Sequence, residues 1–254
     1  MSDILKINDL NISFDKNSEN EKIIVENASF SIGQGELVLI IGDNGVGKST
    51  IFNALIFALD KNASSSFNML FNGKVITKEN KDGFRRAIGY SEQTVYDGSF
   101  FSEKVKQHIM EYAASASNNN GYEQYYDELF YKELRCDLYS DGKLNNKRIK
   151  VCSGGEKQMI SILKAFSRNK ADLYILDEPI NNLDSRHARL LNNFIAKLKK
   201  RDNPPGILIV THCQMFQNVD KAYKLKNGKL TLLDRYEPKS CFGECDECGL
   251  YKED

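Results

Sequence analysis

The stretch GDNGVGKST, residues 42–50, holds the densest chemistry in this sequence. Gly42, Gly47, Lys48 and Ser49 fit the pattern G-x-x-x-x-G-K-[ST]. The apolar run LVLII (37–41) precedes it and the helix-period run TIFNALIFAL follows it, which is the strand–loop–helix setting the pattern needs. Glycines let backbone N–H groups converge on phosphate oxygens, and a lysine adds a cation for the β- and γ-phosphates. The serine hydroxyl is suited to Mg²⁺. The loop from Gly42 through Asp43, Asn44, Gly45, Val46 and Gly47 to Lys48, Ser49 and Thr50 is therefore the candidate cradle for a nucleotide.

Residues 173–178, LYILDE, add an apolar strand that ends in Asp177, a candidate Mg²⁺ contact, with Glu178 beside it. A carboxylate so placed can polarise a water attacking the γ-phosphate. A further glycine turn, VCSGGEKQ (151–158), opens a helix-favouring run, and the backbone N–H groups at a helix start attract anions. Met159, Ile162, Leu163 and Phe166 share one face of that helix and would anchor it.

The elements that must position these groups alternate. Residues 4–14, 23–32, 37–41, 173–177 and 206–210 read as strands, and Asn72-Gly73 and Asn227-Gly228 read as tight hairpin turns. Residues 95–150 are rich in Tyr, Asn and charge with helical periodicity, which predicts a helical insertion. The expected class is α/β, with a parallel sheet covered by helices on its faces.

The ordered set GDNGVGKST, Gln93, CSGGEKQ, LYILDEP, NNLD and VTHC resembles the ATP-binding cassette (ABC) ATPases over about residues 4–232. The resemblance implies a P-loop NTPase core of ABC type with an antiparallel β subdomain and an inserted helical subdomain at about 95–168. The core spans 1–232 and a Cys-bearing tail occupies 233–254. It further implies ATP and Mg²⁺ as cofactors, and a dimer with two ATP molecules sandwiched head to tail. The second glycine turn then acts in trans, with Ser153, Gly154 and Gly155 meeting the γ-phosphate of the nucleotide on the other chain. By the same resemblance Gln93 senses Mg²⁺ and the attacking water, Glu178 is the catalytic carboxylate and His212 contacts the γ-phosphate. Asp184 lines the dimer interface. Phe14 is either the aromatic that stacks on adenine or an ordinary strand aromatic. The signature departs from the family's usual residues at Cys152, Glu156 and Met159, none of which removes a needed group.

The second cassette, in a homodimer or a heterodimer, and separate transmembrane permease subunits are the partners expected. The stretch TVYDGSFFSEKVKQHI after Gln93 resembles the segment that meets the membrane subunits in exporter cassettes. The Tyr-rich run YEQYYDELFY (122–131) serves either that surface or packing within the subdomain. A non-transport cassette ATPase, of the repair, translation or iron–sulfur assembly type, is the alternative. Lys+Arg and Asp+Glu both number 35, which leaves no net field to draw the chain to nucleic acid. The longest apolar runs are strand-sized, and MSDILKINDL lacks the apolar region of a secretory signal. A cytoplasmic subunit, peripheral on the inner face of the cell membrane, is the expectation. The spacing of Cys241, Cys245 and Cys248 suits a zinc ion or an iron–sulfur cluster, and equally suits free thiols on a tail.

Overall fold

A computed structural model describes residues 3–92, 103–116 and 121–239. Ten strands are described: β1 (Asp3–Phe14), β2 (Lys22–Gly33), β3 (Leu37–Ile41), β4 (Ala63–Phe71), β5 (Lys74–Ile76), β6 (Gly89–Ser91), β7 (Leu173–Asp177), β8 (Gly206–Thr211), β9 (Lys221–Lys226) and β10 (Lys229–Leu232). The α-helices are α1 (Lys48–Leu55), α2 (Lys81–Ala87), α3 (Val105–Ala114), α4 (Tyr122–Glu128), α5 (Gly154–Phe166) and α6 (Ser185–Leu198).

The strands form two sheets, one four-stranded and antiparallel in the order β2-β1-β4-β5 and one six-stranded in the order β10-β9-β3-β8-β7-β6. In the larger sheet β9, β3, β8, β7 and β6 run parallel, and β10 closes the edge antiparallel. Parallel strands buried on both faces must be apolar throughout. Every residue of β3 and β7 is buried, and the period of two divides them between two cores. Leu37, Leu39 and Ile41 face the helical side with Tyr174, Leu176, α5 and α6. Val38 and Ile40 face α1 and the antiparallel sheet with Ile51 and Phe52.

Both hairpins form at the expected dipeptides. Asn72 and Gly73 have φ of 48° and 74°, and Asn227 and Gly228 have 50° and 76°, the paired positive φ of a tight two-residue turn. The helix expected over TIFNALIFAL stops early. α1 ends at Leu55 and Phe57 turns into positive φ, because Phe57 instead packs its ring on Phe67 of β4. The run AIGYSE (87–92) divides between two elements, with Ala87 closing α2 and β6 beginning at Gly89.

The described part of the 95–150 stretch is helical, joined by a π turn at Leu129–Glu133 and by 3-10 turns at Cys136–Gly142, Leu144–Asn146 and Ile149–Val151. Tyr126, Leu129 and Phe130 are fully buried, so the aromatic run serves mainly as packing, with Tyr131 left exposed. Over residues 233–239 the chain stays on the core. Leu233 N–H donates to Ala222 O, and Leu233 and Tyr236 pack against the helical-side core.

Candidate functional site

The sheet register aligns the candidate residues before any side chain is considered. Ile41 pairs with Thr211, and Asp177 pairs with Val210 of the same central strand β8. The loops that leave β3, β8 and β7 therefore emerge side by side at one edge. This edge, at the carboxyl ends of parallel strands, is where open α/β sheets place their ligands.

The glycine loop is shaped by contacts that exclude side chains. Gly47, the N-cap of α1, has φ of +110°, and a Cβ there would lie 2.2 Å from Cγ2 of Ile24 on β2. Only glycine fits that backbone and that space. Lys48 is buried, and its Nζ donates to the Asp43 carbonyl at 3.0 Å, which folds the side chain back over the loop. The same Nζ lies 3.3 Å from Glu178 Oε1.

Glu178 is the hub. It is buried, with a φ of +45°, an uncommon conformation for a residue with a side chain. Its N–H donates to Val210 O at 2.8 Å, so the neighbouring strand holds the backbone. Thr211 Oγ1 donates to Oε2 at 3.0 Å, His212 N–H reaches Oε1 at 3.1 Å, and His212 Nδ1 sits 2.9 Å from Oε2. A carboxylate only accepts, so the proton is on Nδ1. Burial works to raise the Glu178 pKa. The His212 bond and charge, the Lys48 ammonium and the Thr211 hydroxyl outweigh it and hold the carboxyl below the ordinary glutamate value.

Asp177, one residue earlier, is held in the opposite way. Burial pushes it up to about 7 and the Glu178 charge adds to the rise, while the Ser49 hydroxyl and Lys48 oppose it. Its Oδ1 is buried with no hydrogen-bond partner among the described residues. A buried carboxylate oxygen without a donor, beside a serine hydroxyl, is a fitting ligand pair for Mg²⁺, which takes few protein oxygens and keeps its waters.

Ser153, Gly154 and Gly155 form a second group. Ser153 caps α5, its Oγ accepting from Glu156 N–H at 3.3 Å while the Glu156 carboxylate accepts from Ser153 N–H at 2.7 Å. Glu156, a departure from the usual signature, therefore closes the cap, and Lys147 Nζ pairs with it at 2.7 Å. Met159, Ile162, Leu163 and Phe166 are fully buried. A Cβ on Gly155 would come 2.7 Å from Asn182 O, so glycine lets the NNLD loop pass directly against the turn. In that loop Asp184 caps α6, accepting from His187 N–H at 2.8 Å, and its Oδ2 lies 2.7 Å from His187 Nδ1. Gln158 Nε2 donates to Pro179 O at 3.3 Å and ties this group to the loop after Glu178.

Phe14 ends β1, half-buried against the core of the antiparallel sheet and paired with Lys22 and Ala63. Gln93 and the cysteines Cys241, Cys245 and Cys248 lie outside the described residues. Among the described residues no group of three or more His, Cys, Asp or Glu is arranged to hold a metal ion. Sequence reasoning missed two participants, Thr211 and Lys147. Thr211 could have been read from VTHC as a hydroxyl at a strand end beside the histidine, whereas nothing near Lys147 in sequence marks its partner.

The family model described as ABC transporter matches residues 25–181. This chain belongs to the ABC transporter family. It carries the cassette that hydrolyses ATP to power transport. The phosphonates import ATP-binding protein PhnC of Fusobacterium nucleatum is 28% identical over 221 residues, covering 83% of this chain and 85% of that protein. The lipoprotein-releasing system ATP-binding protein LolD 1 of Chlorobium luteolum is 30% identical over 219 residues, covering 82% and 88%. Among solved structures, cbiO1 from Clostridium perfringens, part of the ABC transporter complex cbiONQ, superposes on this ABC cassette with a TM-score of 0.67. It shares 25% identity and covers 91% of this chain and 88% of that one.

Proposed function

We propose that this ABC ATPase is the nucleotide-binding subunit of an exporter whose membrane-spanning subunits are separate chains, and that it works as a dimer closed around ATP. The observation that carries the reading is the Glu178 carboxylate, aimed by Lys48, Thr211 and His212 at the sheet edge where the glycine loop ends. In this reading the loop from Gly42 to Thr50 cradles the triphosphate, Lys48 neutralises the developing charge, and Glu178 accepts hydrogen from the attacking water. His212 positions that carboxylate and faces the γ-phosphate. Ser49 and Asp177, with Gln93, would hold Mg²⁺, which would supply positive charge against the phosphate oxygens. Ser153, Gly154 and Gly155 present the start of α5 to the nucleotide of a second cassette, identical or related, and Asp184 lines the same interface. Phe14 stacks on the base.

Export rests on the likeness of TVYDGSFFSEKVKQHI to exporter cassettes; only its end, from residue 103 into α3, is described. The relatives' names include both import and lipoprotein release and so favour neither direction. Among the described residues no helix is long and apolar enough to cross a membrane. In this reading the subunit sits peripherally on the cytoplasmic face. The test is to tag the protein in its native host, solubilise membranes gently and identify what co-purifies. A polytopic membrane protein in stoichiometric amount supports the reading. Recovery without one points to a cassette ATPase that moves no solute.

A further inference from the structure

The segment that follows His212 has no regular structure of its own. Residues 212–220 run without helix or strand, yet Cys213, Met215 and Phe216 are buried, so their backbone groups need partners from elsewhere. Two elements provide them. Asn192 on α6 donates from Nδ2 to Met215 O at 3.3 Å and accepts from Gln217 N–H at 3.3 Å. The chain beyond β10 returns from the other side. Tyr236 Oη lies 2.7 Å from Gln214 O and 3.1 Å from Phe216 O, and Lys239 N–H donates to Gln214 O at 2.9 Å. At the near end Thr211 Oγ1 accepts from Cys213 N–H at 3.0 Å while donating to Glu178, so the turn at His212 is fixed to the carboxylate it serves.

From this we infer that Tyr236 is a positioning residue for hydrolysis: the segment past β10 straps the loop after His212 and so aims the His212 ring at Glu178. The inference rests on the proposed role of the His212–Glu178 pair. The hydroxyl of Tyr236 reaches backbone carbonyls of the loop. It acts through the backbone of Gln214 and Phe216, which lie two and four residues past His212. Its single O–H is shared between two carbonyls, and a phenylalanine would keep the ring packing while removing that donor, leaving Gln214 O with the Lys239 N–H.

The test compares full-length Tyr236→Phe with the parent chain in two measurements. Amide hydrogen exchange of peptides covering Thr211–Gln217 should accelerate, while peptides from the glycine loop stay as they are. In ATPase assays kcat should fall about three- to tenfold with KM for ATP unchanged, because the loss falls on orientation in the reaction rather than on nucleotide binding. In a His212→Ala background the same substitution should change kcat no further, since both act through one group. Unaltered exchange over 211–217 overturns the strap. Faster exchange with parental kcat overturns the positioning role. Failure of the underlying reading shows separately, as parental turnover in His212→Ala alone. Should Tyr236→Phe unfold, Asn192→Ala tests the same loop from its other side, with the same exchange and kcat outcomes.

Discussion

His212 holds Glu178 twice. Its backbone N–H reaches Oε1 at 3.1 Å and its ring Nδ1 lies 2.9 Å from Oε2. One residue thus fixes both the position of the carboxylate and the orientation of its lone pairs, and Lys48 and Thr211 complete the set. Glu178 stays ionised when buried because these donors together outweigh desolvation.

Glu178→Gln keeps the shape and removes the charge and basicity. Turnover should fall by about 10²–10⁴-fold, the range a positioned general base contributes, while nucleotide binding survives. With ATP and Mg²⁺ the variant should accumulate as a dimer by light scattering. A monomer at saturating ATP would count against closure around the nucleotide by the isolated subunit.

Asp177 predicts a pH effect with a definite sign. Its folded pKa is raised from 3.8 to about 7, so between those values the folded chain keeps a proton that the unfolded chain has lost. Stability therefore drains away as pH rises through that window and is lowest above it. Asp177→Asn removes the cost, so in EDTA at pH 8 it should be more stable than the parent by on the order of 1–4 kcal/mol and melt at a higher temperature, while losing turnover. The gap should close at pH 4. Equal melting at pH 8 would show that Asp177 is not strained by its burial.

Two glycines of the same loop should respond differently. Gly45→Ala meets open space at φ of +76°, and should cost about 1 kcal/mol with ATP affinity retained. Gly47→Ala carries φ of +110° and a Cβ 2.2 Å from Ile24, so it should cost more than the roughly 1–3 kcal/mol of the backbone alone and abolish binding of a fluorescent ATP analogue. Thermal melts and titrations on the pair read both effects. Matching behaviour at the two positions would contradict this account.

The cap of the signature helix offers an asymmetric test. Glu156 is buried and Lys147 half-buried, with side chains 5% and 27% exposed. Lys147→Met strands a buried charge and should cost about 1–3 kcal/mol in urea denaturation. Glu156→Gln still accepts from Ser153 N–H and should cost less. The reverse order would mean that the pair contributes little to the cap.

Much of this was legible in the residues alone. The glycine loop, the acidic strand end and the two Asn-Gly turns are local devices, in which a backbone conformation or a short spacing is dictated by residue type. The continuous apolar run LVLII of β3 pointed to burial on both faces for the same reason. Tertiary structure decided the rest. Strand order placed Thr211 and His212 beside Glu178, although they are remote in sequence, and no periodicity encodes which strand is a neighbour. Packing of Phe57 on Phe67 ended α1 before its pattern did. Adjacent carboxylates shift in opposite directions because burial raises Asp177, whereas donors on other elements outweigh burial at Glu178. Tyr236 and Lys147 found their partners only through the fold, because a side chain's hydrogen-bonding capacity is local but the group that satisfies it is not.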